Sequence, residues 1–497
     1  MEHKLCYNRI KYNKIKNKDH YNNKNNNNKY NLCLPSISKL QDNNNNNNIH
    51  NLTILMVSTE YPPMLGGVGR YTHNLTRELR KVGNIVYVVC NKKGDGDFFG
   101  LSPFNKNNSE LLLKIVYKVK PDIVHIQFEH GLYGLKLASL NPRNTCTTID
   151  TFYDICETPI VTTFHSAYTF KQWMTIVEPL ETKSGLINQL KSKKDHIFQY
   201  WKFLINYKSF HNLNNDKLSK SKCGIVFSEY LQNLINEKNH KPRHSYDNKE
   251  FDSNIKKSII YHGAQSSLPV LPEIKKEEAR TKFGLPVDKT KRIALVVGFR
   301  TGTKGWDILK KINVPANWLI VINSSKNHYN IENYKPEIIT KNKSNDTTTK
   351  IIDIQRDFLS DNDLSLLFYA SDIILLPYKL SSGSGVMFDA LAHGLPFIAT
   401  DLPFFKEFAM KGLGITVKRD SRGFAKALHD MEDNYHFYSK AVNAFRLNLK
   451  WNTIANQHNK LYMNILKCIH RTKNKVQSSS LTTTTIEYSQ KSDRTNK

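Results

Sequence analysis

The sequence predicts an α/β protein of two doubly wound, parallel-sheet domains that face each other across a cleft. Three observations carry that expectation. Short apolar runs alternate with stretches whose apolar residues recur at helical spacing, the βαβ pattern of a sheet buried on both faces. The alternation occurs twice, in two series of comparable size on either side of a polar linker around 265–291. Glycine-rich segments follow several of the runs directly, at the strand ends where such sheets take ligands.

The first series opens with the run 52–57, then a Pro/Gly-rich loop, then Val68, Tyr71, Leu75, Leu79 and Val82. Their offsets of three and four predict a helix. Gly83 ends it and 85–90 reads as a second buried strand, which completes one parallel crossover. Next, 111–119 reads as a helix and 123–127 and 160–164 as strands. A long helical segment carries Trp173, Trp201 and Phe203, and 224–227 and 258–261 add two strands. In the second series 293–297, 318–322, 373–376, 396–399 and 414–417 read as strands. Helices are expected near 304–311, 361–369, 384–392 and 422–431. The stretches 239–256 and 340–350, rich in Asn and Lys, lack periodicity and read as loop insertions.

The chain has 497 residues, too many for a minimal binding module. Its 39% hydrophobic content and mean hydropathy of −0.52 lie below the roughly 45–50% apolar share of ordinary globular chains. Unfolded segments therefore dilute a normal core. Residues 1–50 carry 16 Asn, two homopolymeric Asn runs and no apolar periodicity, so a disordered tail is expected there, and another over 470–497.

The formal charge is +28. Lys and Arg exceed acids by nine to three over 1–50, by seven to two over 466–497 and by sixteen to nine over 171–260. The Lys residues accompany Asn-rich tracts, and no helix-turn-helix, zinc-finger or ribonucleoprotein aromatic motif accompanies them. The charge reads as solvated lysine, with peripheral contact to an anionic membrane or polyanionic substrate left open and specific nucleic-acid binding disfavoured. Seven cysteines with no C-x-x-C pair argue for reduced thiols rather than a disulfide framework or structural zinc. No run approaches a membrane span, and the Asn-rich start lacks the apolar core of a signal peptide. A cytoplasmic protein is expected, peripheral at most to a membrane surface.

Four segments carry candidate chemistry. In EYPPMLGGVGRY, Gly66, Gly67 and Gly69 stand at a helix N-terminus, where N–H donors and the dipole favour an anion; a tight turn without ligand is the competing reading. The spacing is neither G-x-G-x-x-G nor a Walker loop. His165 follows the run 160–164, and Gln127, Glu129 and His130 follow 123–127 at the same sheet edge, a polar cluster able to hold sugar hydroxyls. In VGFRTGTKG, Arg300 and Lys304 follow another buried run and can clamp a diphosphate and stabilise its departure. In SSGSGVMFDA, the N–H groups near Gly383, Ser384, Gly385 and Val386 can take phosphate oxygens while Asp389 takes ribose hydroxyls.

EYPPMLGGVGRY, TTFHS, YHGA at 261–264, GFRTGTKGWDIL and LSDNDLSLLFYASDIILLPYKLSSGSGVMFDALAHGLPFIATD resemble, in order, the signatures of retaining family 4 glycosyltransferases of the GT-B fold. The likeness covers about 52–469. It implies two Rossmann-like domains: 51–265 on the acceptor side and 285–450 holding a nucleotide sugar. A terminal helix over 451–469 would cross back to the first domain. It further implies transfer of a sugar from a donor such as a UDP- or GDP-hexose to a hydroxyl acceptor (glycan, lipid or small molecule). Anomeric configuration would be retained, with no metal or other cofactor. His165, Arg300 and Lys304 would be catalytic; Gly66, Gly67, Gln127, Glu129, Gly383, Ser384, Gly385, Val386 and Asp389 would bind substrate. Two positions depart from the family. Its E-x7-E motif falls on Ser381 and Asp389, the second shortened by one methylene, about 1.5 Å. In the G-R-x4-K-G pattern the Arg position falls on Phe299, with Arg300 displaced by one. The alternatives are a non-catalytic GT-B scaffold or binding protein, and a related phosphorylase or epimerase.

Overall fold

Every strand pairing among the described residues is parallel. The computed structural model describes residues 51–134, 147–169, 172, 213–235, 257–264, 276–325, 350–354 and 356–492, with side chains to 472. The N-terminal tail, nearly all of the segment around Trp173, Trp201 and Phe203, the insertion 239–256 and nearly all of 340–350 lie outside the described residues.

The first sheet is built from β1 (Thr53–Val57), β2 (Ile85–Cys90), β3 (Phe98–Phe99), β4 (Ile123–Phe128), β5 (Ile160–Phe164), β6 (Cys223–Val226) and β7 (Lys257–Ile259), in the order β3-β2-β1-β4-β5-β6-β7. Its central strands are near-continuous β-branched and aliphatic runs because both faces are covered by helices. Between β1 and β2 runs helix α1 (Gly67–Lys81), which buries Tyr71, Leu75 and Leu79 and ends on Arg80 and Lys81, cations that suit its C-terminal dipole. Helices α2 (Asn108–Val119), α3 (Asp150–Ile155) and α4 (Glu229–Leu234) complete the described crossovers.

Helix α5 (Lys276–Lys282) leads into the second sheet: β8 (Arg292–Phe299), β9 (Trp318–Ser325), β10 (Ile351–Asp353), β11 (Ile373–Leu376), β12 (Phe397–Thr400) and β13 (Gly414–Val417). The order is β10-β9-β8-β11-β12-β13. Helices α6 (Asp361–Ala370), α7 (Gly385–Ala392), α8 (Pro403–Ala409), α9 (Ser421–Asp433) and α10 (Tyr435–Phe445) follow in turn. In each sheet the order reverses between two adjacent strands, β1 and β4 in the first and β8 and β11 in the second. Ligands of doubly wound sheets bind at such switch points.

Helix α11 (Trp451–Ser492) packs along α1. Its Asn459 Oδ1 accepts from Asn84 Nδ2 at 3.1 Å, and Tyr462 meets His125 in the middle of the first sheet. A Cβ on Gly263 would lie 2.5 Å from the Trp451 ring, so glycine is what leaves room for this indole, which packs edge-on against Tyr71 of α1 with centroids 5.3 Å apart.

Several details depart from the sequence reading. The helix expected at 304–311 is two 3₁₀ turns, Gly302–Lys304 and Trp306–Lys311, broken at Gly305. Part of the linker 265–291 is α5, held by Arg280, which reaches Asp372 and the Ala370 carbonyl. The edge strands β3 and β10 and the helices α3, α4, α8 and α10 were not expected. Helix α11 continues beyond 469 to Ser492, and its sequence contains no Gly or Pro to stop it.

Candidate functional site

The loops after the two switch points meet in one cleft of about 230 Å³. From the first domain come Gly66, Gly67 and Arg70, at the start of α1. From the second come Val297, Gly298, Phe299 and Lys304 after β8, and Gly383, Ser384, Gly385, Val386 and Asp389 around the start of α7. Asn323 and Ser325 at the end of β9 and the 357–359 loop after β10 close the far wall.

The phosphate-binding potential lies mostly in the second domain. Ser384 caps α7, its Oγ accepting from Met387 N at 3.2 Å. The first-turn N–H groups at Gly385 and Val386 have no carbonyl within the helix to bond, so they are able to donate to an anion. Lys304 is presented beside it, its Nζ 3.8 Å above the Tyr378 ring. Gly305 fixes that lysine. It has φ +73, and a Cβ there would sit 1.8 Å from the Pro377 carbonyl oxygen. Only glycine lets the loops after β8 and β11 close together.

The glycine loop of the first domain is less open to an anion than its sequence suggests. The Glu60 carboxylate is buried within it and accepts from Gly69 N at 3.0 Å. It also occupies the space that a Cβ on Gly66 would fill. The Glu60 carboxyl thus already occupies the start of α1, and Gly67, with nothing within 4 Å of its missing Cβ, is left as the open edge of the cleft.

Gln127, Glu129 and His165 do not line the cleft. The His165 ring is packed edge-on against Tyr71 and Phe227, and only its backbone approaches the glycine loop, the carbonyl 3.5 Å from where a Cβ on Gly383 would be. Its tautomer follows from its neighbours. Gln127 Oε1, which can only accept, takes a proton from His165 Nε2 at 3.0 Å, and the Gln127 amide nitrogen donates to His125 Nε2 at 3.2 Å. His125 Nδ1 then donates to Tyr462 Oη at 2.6 Å. Burial pushes His165 down to about 3, so it is a neutral ring whose acceptor nitrogen is Nδ1. Glu129 accepts from Gly131 N at 2.7 Å and from Ser166 Oγ at 3.0 Å.

Arg300 is also outside the cleft lining. Its guanidinium donates to Ser324 Oγ at 3.0 Å and to the Ser324 carbonyl at 3.1 Å. Adjacent residues at a strand end point to opposite faces, so a displacement of one residue turns the cation away and leaves Phe299 in the cleft. There Phe299 stacks on Phe358, centroids 6.2 Å apart. Ser381, at the first position of the E-x7-E pattern, donates among the described residues to the Gly383 carbonyl of its own loop at 2.9 Å.

Asp389 is 5% exposed and lines the cleft. Its Oδ2 is ion-paired with Arg70, which also approaches Asp361 at 3.8 Å. Burial raises the Asp389 carboxyl and the Arg70 guanidinium opposes that rise. The sequence singled out neither Arg70 nor His262. His262 donates from Nδ1 to the Gly263 carbonyl at 2.7 Å, and its Nε2 lies 3.4 Å from where a Cβ on Gly385 would be. Burial, assisted by Arg70, lowers it to about 3, so it too is neutral. The YHGA segment contained the signal for His262, and GGVGRY that for Arg70, but nothing local says that either reaches the opposite domain.

Comparison with solved structures identifies the architecture. The chain superposes on sucrose-phosphate synthase from Thermosynechococcus elongatus with a TM-score of 0.56 at 14% identity, covering 84% of this chain and 100% of that one. The fold is that of the GT-B glycosyltransferases. A glycosyltransferase from Rickettsia africae gives 0.52 at 17% identity, over 84% and 99% of the two chains. The catalytic domain of starch synthase IV from Arabidopsis thaliana, bound to ADP and acarbose, gives 0.51 at 13% identity, over 84% and 100%. Residues 65–209 of this GT-B chain match the family described as Glycosyltransferase Family 4. No curated protein matches the chain.

Proposed function

We propose that the protein is a retaining, metal-independent hexosyltransferase that moves a sugar from a nucleoside diphosphate sugar to a hydroxyl acceptor. The observation that carries this reading is the convergence, in one cleft, of Lys304, the α7 N-terminus at 384–386 and a buried carboxylate, Asp389. The family match over 65–209 supports it, and the starch synthase of the same fold is itself bound to a nucleotide and a saccharide analogue. In this reading the bond between the anomeric carbon and the β-phosphate oxygen breaks, and its electron pair stays on the phosphate. Lys304 and the first-turn N–H groups stabilise that charge. The acceptor hydroxyl attacks from the same face and gives its proton to the departing phosphate oxygen. The chain's own cation and helix terminus supply the charge stabilisation that a metal supplies elsewhere. Cys90, Cys156, Cys223 and Cys468 are free thiols, which supports the cytoplasm as the compartment, with the net charge of +28 favouring peripheral contact with anionic surfaces.

The non-catalytic scaffold reading draws on Ser381, which replaces a carboxylate, and on Arg70, which occupies Asp389 Oδ2. A thermal-shift screen of UDP-, GDP- and ADP-sugars followed by product analysis separates the readings. A donor at a hundred times its dissociation constant stabilises by about 2.7 kcal/mol. Stabilisation with release of the nucleoside diphosphate supports the transferase. Stabilisation without turnover supports the scaffold, and no response to any donor overturns both.

A further inference from the structure

Lys304 is the cation that the second domain brings to the cleft, and among the described residues it is in no ion pair and no side-chain hydrogen bond. What meets its ammonium instead is an aromatic face. Nζ stands 3.8 Å from the centroid of the Tyr378 ring, well inside the roughly 6 Å over which the negative face of a ring attracts a cation. Tyr378 is 2% exposed and does not line the cleft. It therefore acts on a ligand only through the lysine.

The two residues are locked in register. Lys379 N, next after Tyr378, donates to the carbonyl of Thr303, next before Lys304, at 2.8 Å. On the other side of Tyr378 the Pro377 carbonyl accepts from Arg419 Nε at 3.1 Å. The ring is gripped edge-on by Phe405 with centroids 5.6 Å apart, and Phe405 is itself fully buried against Phe397 and Phe404. The hydroxyl has no part in this. Tyr378 Oη is buried and has no hydrogen-bond partner among the described residues, whereas a buried tyrosine usually finds one. The site uses the ring face and leaves the O–H idle.

On the reading that Lys304 stabilises the charge left on a departing nucleoside diphosphate, we infer that Tyr378 is the positioning residue of that lysine. A carboxylate partner would hold the ammonium too, but would offset its charge and take up its N–H donors. The ring face holds it by electrostatic attraction alone, so the full positive charge and the N–H groups turned away from the ring serve the phosphate. The contact also restrains a flexible four-carbon stem before the reaction begins, which leaves less ordering to the transition state.

The test is steady-state kinetics on the full chain, with whichever UDP-, GDP- or ADP-hexose the wild type turns over, alongside urea unfolding. Tyr378→Leu removes the ring and should lower kcat by about tenfold with KM within about twofold; Tyr378→Phe keeps the ring and should restore kcat. The Phe variant should unfold at the wild-type urea concentration or above it, since the hydroxyl it lacks had no partner. One, two and three fluorines on the phenylalanine ring then withdraw charge from its face at nearly constant volume, and this series carries the test if the Leu variant misfolds. Turnover should fall with each fluorine, to about a tenth of the Phe value at three, while the urea midpoint stays level. In a Lys304→Met background the same series should be flat. Constant kcat across the fluorines would make Tyr378 a packing residue and overturn the inference. A loss confined to KM would overturn it equally, as would a series that still declines without Lys304 or a Phe variant that fails to fold. A wild type that turns over none of the donors removes the transferase reading and this inference with it, whereas an active wild type with a flat series removes the inference alone.

Discussion

Gly305→Ala tests how the cation loop is built. At φ +73 an alanine pays about 1–2 kcal/mol for the left-handed conformation. Its methyl would begin 1.8 Å from the Pro377 oxygen, where contacts are ordinarily no closer than about 3.2 Å, so the loops after β8 and β11 must part by about 1.4 Å. That carbonyl cannot swing away freely, because Arg419 Nε donates to it at 3.1 Å while its Nη2 is tied to Asp307 at 2.6 Å. Overpacking of this kind costs roughly a further 1–3 kcal/mol, for a total of about 2–5 kcal/mol. Lys304 is the preceding residue, and a displacement of about 1 Å at a reacting centre lowers rates on the order of a hundredfold. Urea unfolding should show a lower midpoint with an unchanged slope, and turnover at saturating donor should fall by about that factor. A variant with the wild-type midpoint and wild-type turnover would refute both the strain argument and the placement of Lys304.

Lys304→Met keeps the stem over Tyr378 and removes the charge. Turnover should fall by about 10²–10³ with little change in unfolding temperature, and a rate within threefold of wild type would make the loop structural. Burial lowers His165 and His262 to about 3 and His393 and His458 to about 4, below the roughly 6.5 of an unfolded chain, so the unfolded state takes up protons first as pH falls. Stability should therefore be full above about pH 6.5 and decline toward pH 4, by about 2 kcal/mol per histidine at pH 5; denaturation midpoints that stay level from pH 7 to pH 5 would contradict this. Glu407 of the second domain accepts from Glu229 N at 3.1 Å and Tyr230 N at 2.9 Å, capping α4 of the first. Glu407→Ala should cost about 2–3 kcal/mol in denaturant titration, and no loss would mean that cap contributes nothing to holding the domains together.

Strands were legible because parallel strands buried on both faces are continuous apolar runs, and 373–376 and 414–417 match β11 and β13 at both ends. The edges were not. Strand β3 is two residues and β10 three, too short for any period, and their pairing is set by the neighbouring strand rather than by their own pattern. Helix α8 has only seven residues, too few for a clear period, although proline at N1 suits a helix start.

The same division holds in the cleft. Glycine loops following buried strands are local signals, and they located Gly66, Gly67, Lys304 and 383–386. What joins two distant segments has no local trace. Arg70 meets Asp389, Phe299 meets Phe358, and Arg300 is claimed by Ser324 on the adjacent strand. Glu60 was readable as a residue but not as the side chain that fills the first glycine loop, since that depends on the backbone's turning back on itself.

The most direct test of the account is to incubate the purified protein with UDP-, GDP- and ADP-hexoses of α configuration and follow the reaction by proton NMR, with water serving as acceptor in the absence of any other. One donor is expected to release its nucleoside diphosphate, and the first sugar product to form should carry the α configuration of the donor. A folded protein that binds nucleotide yet releases none from any donor, or that forms the β product first, would contradict it.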